Sequence, residues 1–252
     1  MTATSGATSV RDRPALSGQT VLVIGGSAGI GLEAARLARE AGADLVLTAR
    51  DPDRLQRAGL ELGARTIAAF DATDFDRLAS FFNELPPVNH VLVTGPGPYY
   101  ATLADFDFRK ARRDVESHLL LPIQVARLAI GKLRPGGTLL FMGGTGGRRT
   151  APGLALISAL TAALPALIKN LALEIAPLRV NLIAAGFVDT PLSASILGDE
   201  LDARLQQLRT TLPIRRVVGP ADIAALAIHL MINTAVTGAT FDIDGGQQLV
   251  EG

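Results

Sequence analysis

The chain has 252 residues, of which 48% are hydrophobic and 19% charged, and its 24 Lys and Arg residues balance 24 Asp and Glu residues. A chain of this length and apolarity can build a large core, as one α/β domain or two small ones. The balanced charge provides no basic field for nucleic acid or for an anionic membrane. The sequence contains no cysteine, which excludes disulfides, thiolate nucleophiles and cysteine-ligated metals, and no metal site is expected.

Residues 1–17 are rich in Ser, Thr and Ala and lack the apolar core of a signal peptide. This composition predicts a flexible tail, followed by a single domain over 18–252. The uncharged stretch 150–168 contains Pro152 and Pro165 within a regular pattern of strands and helices, so we expect a buried helix rather than a membrane span. We therefore predict a cytoplasmic protein that binds neither membranes nor nucleic acid.

The first predicted strand and helix enclose the most specific motif of the chain. An apolar, β-branched run over Thr20–Ile24 predicts the strand, and a helical pattern follows over 29–41. The glycines between them have the spacing G-x-x-x-G-x-G. Glycine permits positive φ and close approach of a ligand, and a helix amino terminus attracts pyrophosphate. The motif predicts a phosphate cradle formed by Gly25, Ser27, Ala28, Gly29, Ile30 and Gly31.

The end of the second predicted strand, 45–48, indicates which dinucleotide binds. An acid at this point accepts the ribose 2′-OH of NAD, whereas an Arg nearby accommodates the 2′-phosphate of NADP. Here Ala49 precedes Arg50, and Asp51 is expected to cap the next helix. We predict NADP(H) as the cofactor, with the hydroxyl of Ser27 also within reach of the phosphate. The alternative is that Arg50 is a solvated surface residue.

The alternation of strand and helix patterns predicts an α/β fold, a doubly wound parallel sheet of about seven strands with helices on both faces. Pro165 inside a helix over 153–175 predicts a kink or a break. We interpret the segment 192–212 as a substrate lid. The other strands are predicted at 66–70, 91–93, 138–142, 179–183 and 240–243, and the other helices at 52–62, 74–85, 105–133 and 220–232.

Two loops after predicted strands carry side chains with several possible roles. Tyr99 and Tyr100 are the only tyrosines of the chain and follow the carboxyl end of a strand, where ligand sites of α/β proteins lie. They either contact substrate or simply pack. Arg148 and Arg149, after the fifth strand, either grip an anionic ligand or solvate the loop.

Three stretches resemble the short-chain dehydrogenase/reductase family. They are the glycine spacing at 25–31, the segment 185–191 with a P-G-x-x-x-T pattern in which Ala replaces Pro, and Asp-Gly-Gly at 244–246. The likeness extends over about 17–246. The resemblance implies a Rossmann-type fold, a nicotinamide cofactor and a homodimer or homotetramer, with the apolar helix 153–175 at the subunit contact.

The resemblance also assigns residues to the cofactor. Asp71 would hold the adenine amino group, the backbone near Val188 the nicotinamide amide, and Thr190 the amide or the pyrophosphate. Thr161 stands where the family has a Lys and would contact the ribose. Beyond the cradle, the predicted cofactor site comprises Arg50, Asp71, Ala72, Gly95, Thr161, Gly186, Val188 and Thr190.

The family reduces carbonyls with an Asn, a Ser, a Tyr and a Lys. Aligned by their neighbours, these positions fall on His118, on Gly144 (or Gly143 in a shifted register), on Ile157 and on Thr161. Hydride transfer to a carbonyl leaves an alkoxide that needs a proton donor, and neither Ile157 nor Thr161 supplies the Tyr–Lys chemistry. The usual mechanism is therefore not expected. By residue type, the substitute candidates are His118, Thr145, Ser158 and Tyr99 or Tyr100.

Three functions remain open at this point. The first is an NADP(H)-dependent oxidoreductase that acts on a carbonyl or alkene of a small-molecule substrate through a non-standard proton donor. The second is a pseudoenzyme that binds NADP as a structural or sensing ligand and works through partners. The third is a non-redox lyase or isomerase on the same scaffold. The cofactor motifs favour the first, and the loss of Tyr and Lys together favours the second.

Overall fold

A single parallel sheet organises the chain. The computed structural model describes residues 15–148 and 150–250, and the strands of this part pair in the order β3-β2-β1-β4-β5-β6-β7. Every pairing is parallel. The predicted fold class is confirmed. The strands are β1 Thr20–Ile24, β2 Asp44–Ala49, β3 Thr66–Ala69, β4 Val88–Val93, β5 Leu133–Gly144, β6 Arg179–Ala185 and β7 Thr240–Ile243.

Helices cover both faces of the sheet and bury a separate apolar cluster on each. Helices α1, α2 and α9 pack on one face, and α3, α5 and α6 pack on the other. The strands are apolar over most of their length because both of their faces are covered. The helices are α1 Gly29–Glu40, α2 Pro52–Leu62, α3 Phe75–Glu84, α4 Phe108–Val115, α5 Leu121–Ala129, α6 Ala155–Glu174, α7 Pro191–Leu197, α8 Leu201–Thr211 and α9 Pro220–Ile232, with a π-helix at Glu116–Leu120.

The strand order reverses at β1, which pairs with β2 on one side and with β4 on the other. The helix that follows β1 packs on one face of the sheet, and the helices after β4 pack on the opposite face. The carboxyl ends of β1 and β4 therefore border a crevice, which is where doubly wound sheets bind their ligands.

The amino-terminal boundary at residue 17 needs correction. Leu16 is fully buried in the core, and its backbone N–H donates to the carbonyl of Ala41 over 2.8 Å. The apolar side chain thus belongs to the domain, although the polar composition around it is typical of a tail. The rest of the predicted tail, 1–14, lies outside the described residues.

The long helix predicted over 105–133 is divided. It consists of α4, the π-helix and α5, and the chain enters β5 at Leu133. Pro122 has no N–H to donate to the carbonyl of His118, so the regular ladder is interrupted there. The N–H of Leu121 instead reaches back to the carbonyl of Glu116, five residues earlier.

Helix α6 is unbroken through Pro165. The break allowed for at this proline does not occur, because Leu164 and Ile168 on either side of it are buried against the sheet and hold the helix in place. By length and composition, α6 could cross a membrane. In the structure it is one of the helices that cover the sheet, as predicted.

Candidate functional site

The phosphate cradle lies between β1 and α1. Gly25 has a φ of 93°, which side chains rarely adopt, and a Cβ on it would lie 2.1 Å from Oγ1 of Thr94. A Cβ on Gly31 would lie 2.2 Å from the carbonyl oxygen of Gly25. Thr94 follows β4 and donates its hydroxyl proton to the carbonyl of Ile24 over 3.0 Å. Only glycine allows the cradle to pack this closely against the end of β4.

The amino terminus of α1 is suited to an anion. Its N-cap residue, Ala28, has an extended backbone and a methyl side chain that cannot cap a helix. The first N–H groups of α1 are therefore left for another acceptor, and the helix dipole favours negative charge there. The cradle fits the pyrophosphate of a dinucleotide.

At the end of β2, Asp51 is engaged as a helix cap, whereas Arg50 is in no salt bridge within the described ranges. Asp51 accepts a hydrogen bond from the backbone N–H of Arg54 over 2.9 Å and caps α2, as predicted. This bond, together with nearby Arg side chains, lowers the pKa of Asp51. Arg50 is exposed and forms no salt bridge within the described ranges. The free charge beside the expected position of the adenosine ribose is therefore the positive charge of Arg50.

The turn after β3 uses its two acids differently. Asp74 accepts from the N–H of Arg77 over 3.0 Å and caps α3. Asp71 accepts from both the N–H and the hydroxyl of Thr73, over 3.0 Å and 2.8 Å, through the same carboxylate oxygen Oδ1. The adenine contact expected of Asp71, with Ala72 beside it, stays a prediction.

The segment after β6 is held by the carboxyl-terminal motif. Gln247 accepts the backbone N–H of Phe187 over 2.8 Å, and Asp244 accepts the N–H of Gly246 over 2.8 Å. Val188 forms a bridge with Val218. The backbone proposed to meet the nicotinamide, from Gly186 to Val188, is thereby fixed.

The segment 192–212, interpreted from the sequence as a lid, contains α8 and nearly all of α7 and begins next to the cradle. Thr190 caps α7, accepting the N–H of Ser193 over 3.2 Å, and its Cβ is 3.7 Å from the position of a Cβ on Gly29. A Cβ on Gly97 would lie 2.8 Å from Cδ1 of Leu192. The lid therefore lies against both the cradle and the loop after β4 that contains Gly95.

Three of the predicted site residues meet at a turn after β5. The glycine turn, Thr145–Arg148, packs on α6, and a Cβ on Gly147 would lie 2.8 Å from the backbone nitrogen of Ala162. Ser158 donates to the carbonyl of Gly146 over 3.1 Å. Thr161 is buried, and its hydroxyl donates to the carbonyl of Ile157 over 2.8 Å. The hydroxyls of Ser158 and Thr161 thus bond to neighbouring backbone.

The side chain of Tyr99 forms its hydrogen bond and its ring contact within its own loop. Its hydroxyl accepts the backbone N–H of Asp107 over 2.7 Å, and its ring packs against Phe106 with 5.7 Å between centroids. The structure supports packing for this tyrosine. Tyr100 is half exposed, and burial together with the charge of Asp114 raises the pKa of its phenol.

His118 lies apart from the glycine turn, within the π-helix. Its Nδ1 is 3.0 Å from Oδ1 of Asp114, one turn earlier on α4. Burial on its own would lower the pKa of His118, but the hydrogen bond and charge of Asp114 outweigh burial and raise the pKa above the usual value. The sequence interpretation missed Asp114, although the spacing Asp-x-x-x-His on a helix is the signal that would have found it.

Arg148 is paired with residues near the carboxyl-terminal end of the chain. It pairs with Asp242 on β7 and also donates to Oε1 of Gln248. The side chain therefore braces the glycine turn against the edge of the sheet. Arg149 lies outside the described residues.

The cradle, the switch point and the carboxyl-terminal motif agree with one known family. A family model described as enoyl-(acyl carrier protein) reductase matches residues 25–248. The chain belongs to the short-chain dehydrogenase/reductase family. It is by family an oxidoreductase, and its relatives are named as dehydrogenases and reductases.

Relatives and solved structures match along nearly their whole length. The short-chain dehydrogenase/reductase ATR9 of Stachybotrys chlorohalonatus is 27% identical, over 92% of this chain and 98% of the relative. The structure of the MalC reductase/Diels-Alderase from Malbranchea aurantiaca has a TM-score of 0.83 and 26% identity, over 94% of this chain and 99% of the other. BdcA in complex with NADPH has a TM-score of 0.83 and 26% identity, over 92% and 95%.

Proposed function

We propose that this protein is an NADP(H)-dependent reductase of a carbonyl or an activated alkene, and that its proton donor is not the family's Tyr–Lys pair. The observation that carries the proposal is the positive end of β2, where Arg50 is unpaired within the described ranges and Asp51 is used as a helix cap. An unpaired Arg at this point suits a 2′-phosphate. The similar protein BdcA was solved with NADPH.

The cofactor site is assigned residue by residue. NADPH, when bound, supplies the hydride. The uncapped amino terminus of α1 would bind its pyrophosphate, Arg50 its 2′-phosphate, and the fixed backbone at Val188 its carboxamide. Further contacts are proposed for Ser27, Ala28, Ile30, Asp71, Ala72, Gly95, Thr161, Gly186 and Thr190.

The reaction side departs from the family pattern. Ile157 has no proton to donate, and Thr161 bonds to its own helix. The glycine turn packs on α6 at the same place, where Oγ1 of Thr161 is 3.0 Å from the position of a Cβ on Gly147. The proposed proton donor for the product is therefore a group outside the family's Tyr and Lys positions.

The substrate is proposed to be a small molecule with an apolar body. The lid presents Leu192 and Ile196, both partly exposed, above the loop that contains Gly97. Such a wall excludes water and stabilises an apolar ligand beside the reducible group. We also propose a cytoplasmic homodimer or homotetramer, in which the exposed small side chains of α6, such as Ala159 and Ala163, would lie at a subunit contact.

A second candidate is a non-redox reaction on the bound cofactor scaffold, for example that of a lyase or isomerase. The packing of the glycine turn on α6 favours it, because this packing leaves no acid of the usual kind. The similar protein MalC is named both a reductase and a Diels-Alderase. The third possibility, a pseudoenzyme that binds NADP as a sensor, makes the same binding prediction without turnover.

The test is a fluorescence titration with NADPH, followed by loss of NADPH absorbance against panels of ketones and enones. We expect saturable binding and turnover of at least one apolar substrate. Binding without turnover would contradict the reductase and leave the sensor or the non-redox enzyme. If NADPH does not bind, both the reductase and the sensor are ruled out.

A further inference from the structure

The helix after the β4–α4 loop changes type where His118 lies. α4 is regular up to Val115 and is followed by a π-helix over Glu116–Leu120. Single π-helical turns inside α-helices are rare and concentrate at functional sites. Pro122 accounts for the change chemically, because it cannot complete the α-helical ladder. The π-turn sets the direction of the His118 ring relative to α4.

A buried acid lies directly behind this ring. Only 4% of the Asp114 side chain is exposed, in a polar helix whose other buried residue is Ala111. Its Oδ1 is 3.0 Å from Nδ1 of His118, and its Oδ2 is buried with no hydrogen-bond partner in the described part of the chain. A buried carboxylate costs free energy unless it is paired. Stability alone therefore does not account for an acid at this place.

The pair determines which nitrogen of His118 is available. Nδ1 lies 3.0 Å from both the carboxylate and the backbone carbonyl of Asp114. Both of these oxygens are acceptors, so Nδ1 carries a hydrogen and donates hydrogen bonds to Asp114. The side chain remains 11% exposed, and Nε2 is the nitrogen on the opposite edge of the ring. An imidazole oriented through Nδ1 by a carboxylate is able to exchange a proton at Nε2.

The pair is linked to the proposed lid through the loop after β4. Tyr100 interacts electrostatically with Asp114 and belongs to the loop whose Gly97 supports the lid. The next residue, Ala101, donates its N–H to the carbonyl of Gly153 over 3.2 Å, just before α6. The loop thus connects the lid, the start of α6 and the Asp114–His118 pair.

We propose that His118 is the catalytic proton donor of this protein and that Asp114 is its positioning residue. The inference rests on the proposed reductase function. As hydride adds to the carbonyl carbon, the oxygen takes the proton from Nε2 of His118, which gives the alcohol, oxidised cofactor and a neutral imidazole. Solvent then returns the proton to Nε2.

Asp114 on α4 is the group whose hydrogen bond and charge act on the His118 ring, and the same carboxylate raises the pKa of Tyr100 on the preceding loop. Helix α6, which packs on the π-helix, has no ionisable side chain from Ala155 to Ile168. Asp114 raises the pKa of His118 against the effect of burial, which favours the acid form of the ring.

The first experiment needs neither cofactor nor substrate. The chain has three histidines, so NMR titration of their ring signals in the whole protein, assigned with His→Gln variants, gives the pKa of His118. We expect Asp114→Asn, which removes the charge that raises it, to lower the pKa of His118. An unchanged His118 pKa would overturn the positioning role.

The second experiment measures turnover. We expect His118→Gln to lower kcat by about 10²-fold or more while the Kd for NADPH stays within about twofold. In the profile of kcat against pH, Asp114→Asn should shift the basic limb to lower pH. His229→Gln, on the exposed side of α9, is the matched control. His118→Asn is a second variant in case His118→Gln does not fold.

The outcomes separate the two proposals. Turnover that survives in both His118 variants overturns the proton donor and leaves the reductase intact. If the wild-type protein binds NADPH but reduces no substrate, the reductase and the proton donor fail together. A loss of kcat in His118→Gln with no change in His229→Gln supports the inference.

Discussion

The cradle at 25–31 and the glycine turn at 145–148 are both short glycine-containing loops that follow a buried strand, yet glycine has different effects in them. In the cradle, glycines let the loop fold back on Thr94 and leave the first N–H groups of α1 open. In the glycine turn, the missing Cβ of Gly147 lets backbone lie directly on α6. The first loop leaves helix N–H groups open, and the second packs against the side of a helix.

The difference shows that glycine content does not define a ligand loop. Whether such a loop can bind an anion depends on the secondary-structure element next to it. The cradle leads into a helix whose N-cap is Ala28, which cannot satisfy the amino terminus, so an anion is favoured. The glycine turn leads away from the sheet and contacts the side of α6, where Ser158 and Thr161 already bond to backbone.

The strongest test of this comparison is Gly31→Ala. The added Cβ would lie 2.2 Å from the carbonyl oxygen of Gly25, which is backbone and cannot rotate away. We expect a loss of about 3 kcal/mol in the free energy of unfolding and a Kd for NADPH raised by about 100-fold or more. Urea unfolding and fluorescence titration measure the two effects.

Gly95→Ala is the control for stability, because a Cβ at Gly95 meets no atom within 4 Å. It should unfold like the wild type. Equal loss of stability in Gly31→Ala and Gly95→Ala would contradict the close packing of the cradle.

Variants of the two loops must be compared at a pH at which the folded protein is stable. His90 on β4 is 2% exposed, and burial, with the charge of Arg179, lowers its pKa from 6.5 to about 4. The unfolded chain therefore binds more protons than the folded one between these pH values, so stability is complete above 6.5 and is lost as pH falls toward 4. The loss is expected to reach about 3 kcal/mol.

Urea unfolding over this pH range tests the His90 prediction. His90→Gln keeps a donor for Gln19, which accepts from Nε2 of His90 over 2.6 Å, and should remove most of the slope. A slope that is the same in wild type and His90→Gln would assign the acid sensitivity to other groups. His118, whose pKa is raised, has the opposite sign: its contribution to stability is lost as pH rises.

Gly147→Ala tests the packing of the glycine turn, and we expect a smaller loss of stability than in Gly31→Ala. Its Cβ would lie 2.8 Å from the nitrogen of Ala162 and 2.9 Å from the carbonyl oxygen of Ser158. We expect about 2 kcal/mol less stability and an unchanged Kd for NADPH. At Gly146 the nearest atom is 3.9 Å away, on Thr161, so Gly146→Ala should be tolerated. A raised Kd in Gly147→Ala would mean that the turn contributes to nucleotide binding.

Much of the fold could be predicted from the sequence because apolar runs are bounded by glycine and proline. The bounds of β1, α2, α9 and β7 are as predicted, and the helix cap at Asp51 is confirmed. The burial of Leu16 could not be predicted, since one apolar residue in a polar segment has no periodicity. The π-helix was also missed, because a proline within a helical pattern predicts an interruption but not its type.

The site was predictable where backbone conformation determines it and less so where side chains pair. The cradle could be located from its spacing alone. The spacing of Asp114 and His118 brings them to one face of a helix, but the burial of the pair is a tertiary feature that the residue types do not reveal. Likewise, Tyr99 could be placed in a loop, but its bond to Asp107 is a tertiary detail.

The central claim, an NADP(H) site at the end of β2, is tested most directly by the ratio of the Kd values for NADH and NADPH in Arg50→Ala. Loss of a charged contact to the 2′-phosphate should raise the Kd for NADPH by roughly 10-fold or more and leave that for NADH nearly unchanged. Arg54→Ala, which removes the neighbouring partner of Asp51, is the matched control and should keep the wild-type ratio. An unchanged ratio in Arg50→Ala, or the same change in Arg54→Ala, would contradict the assignment.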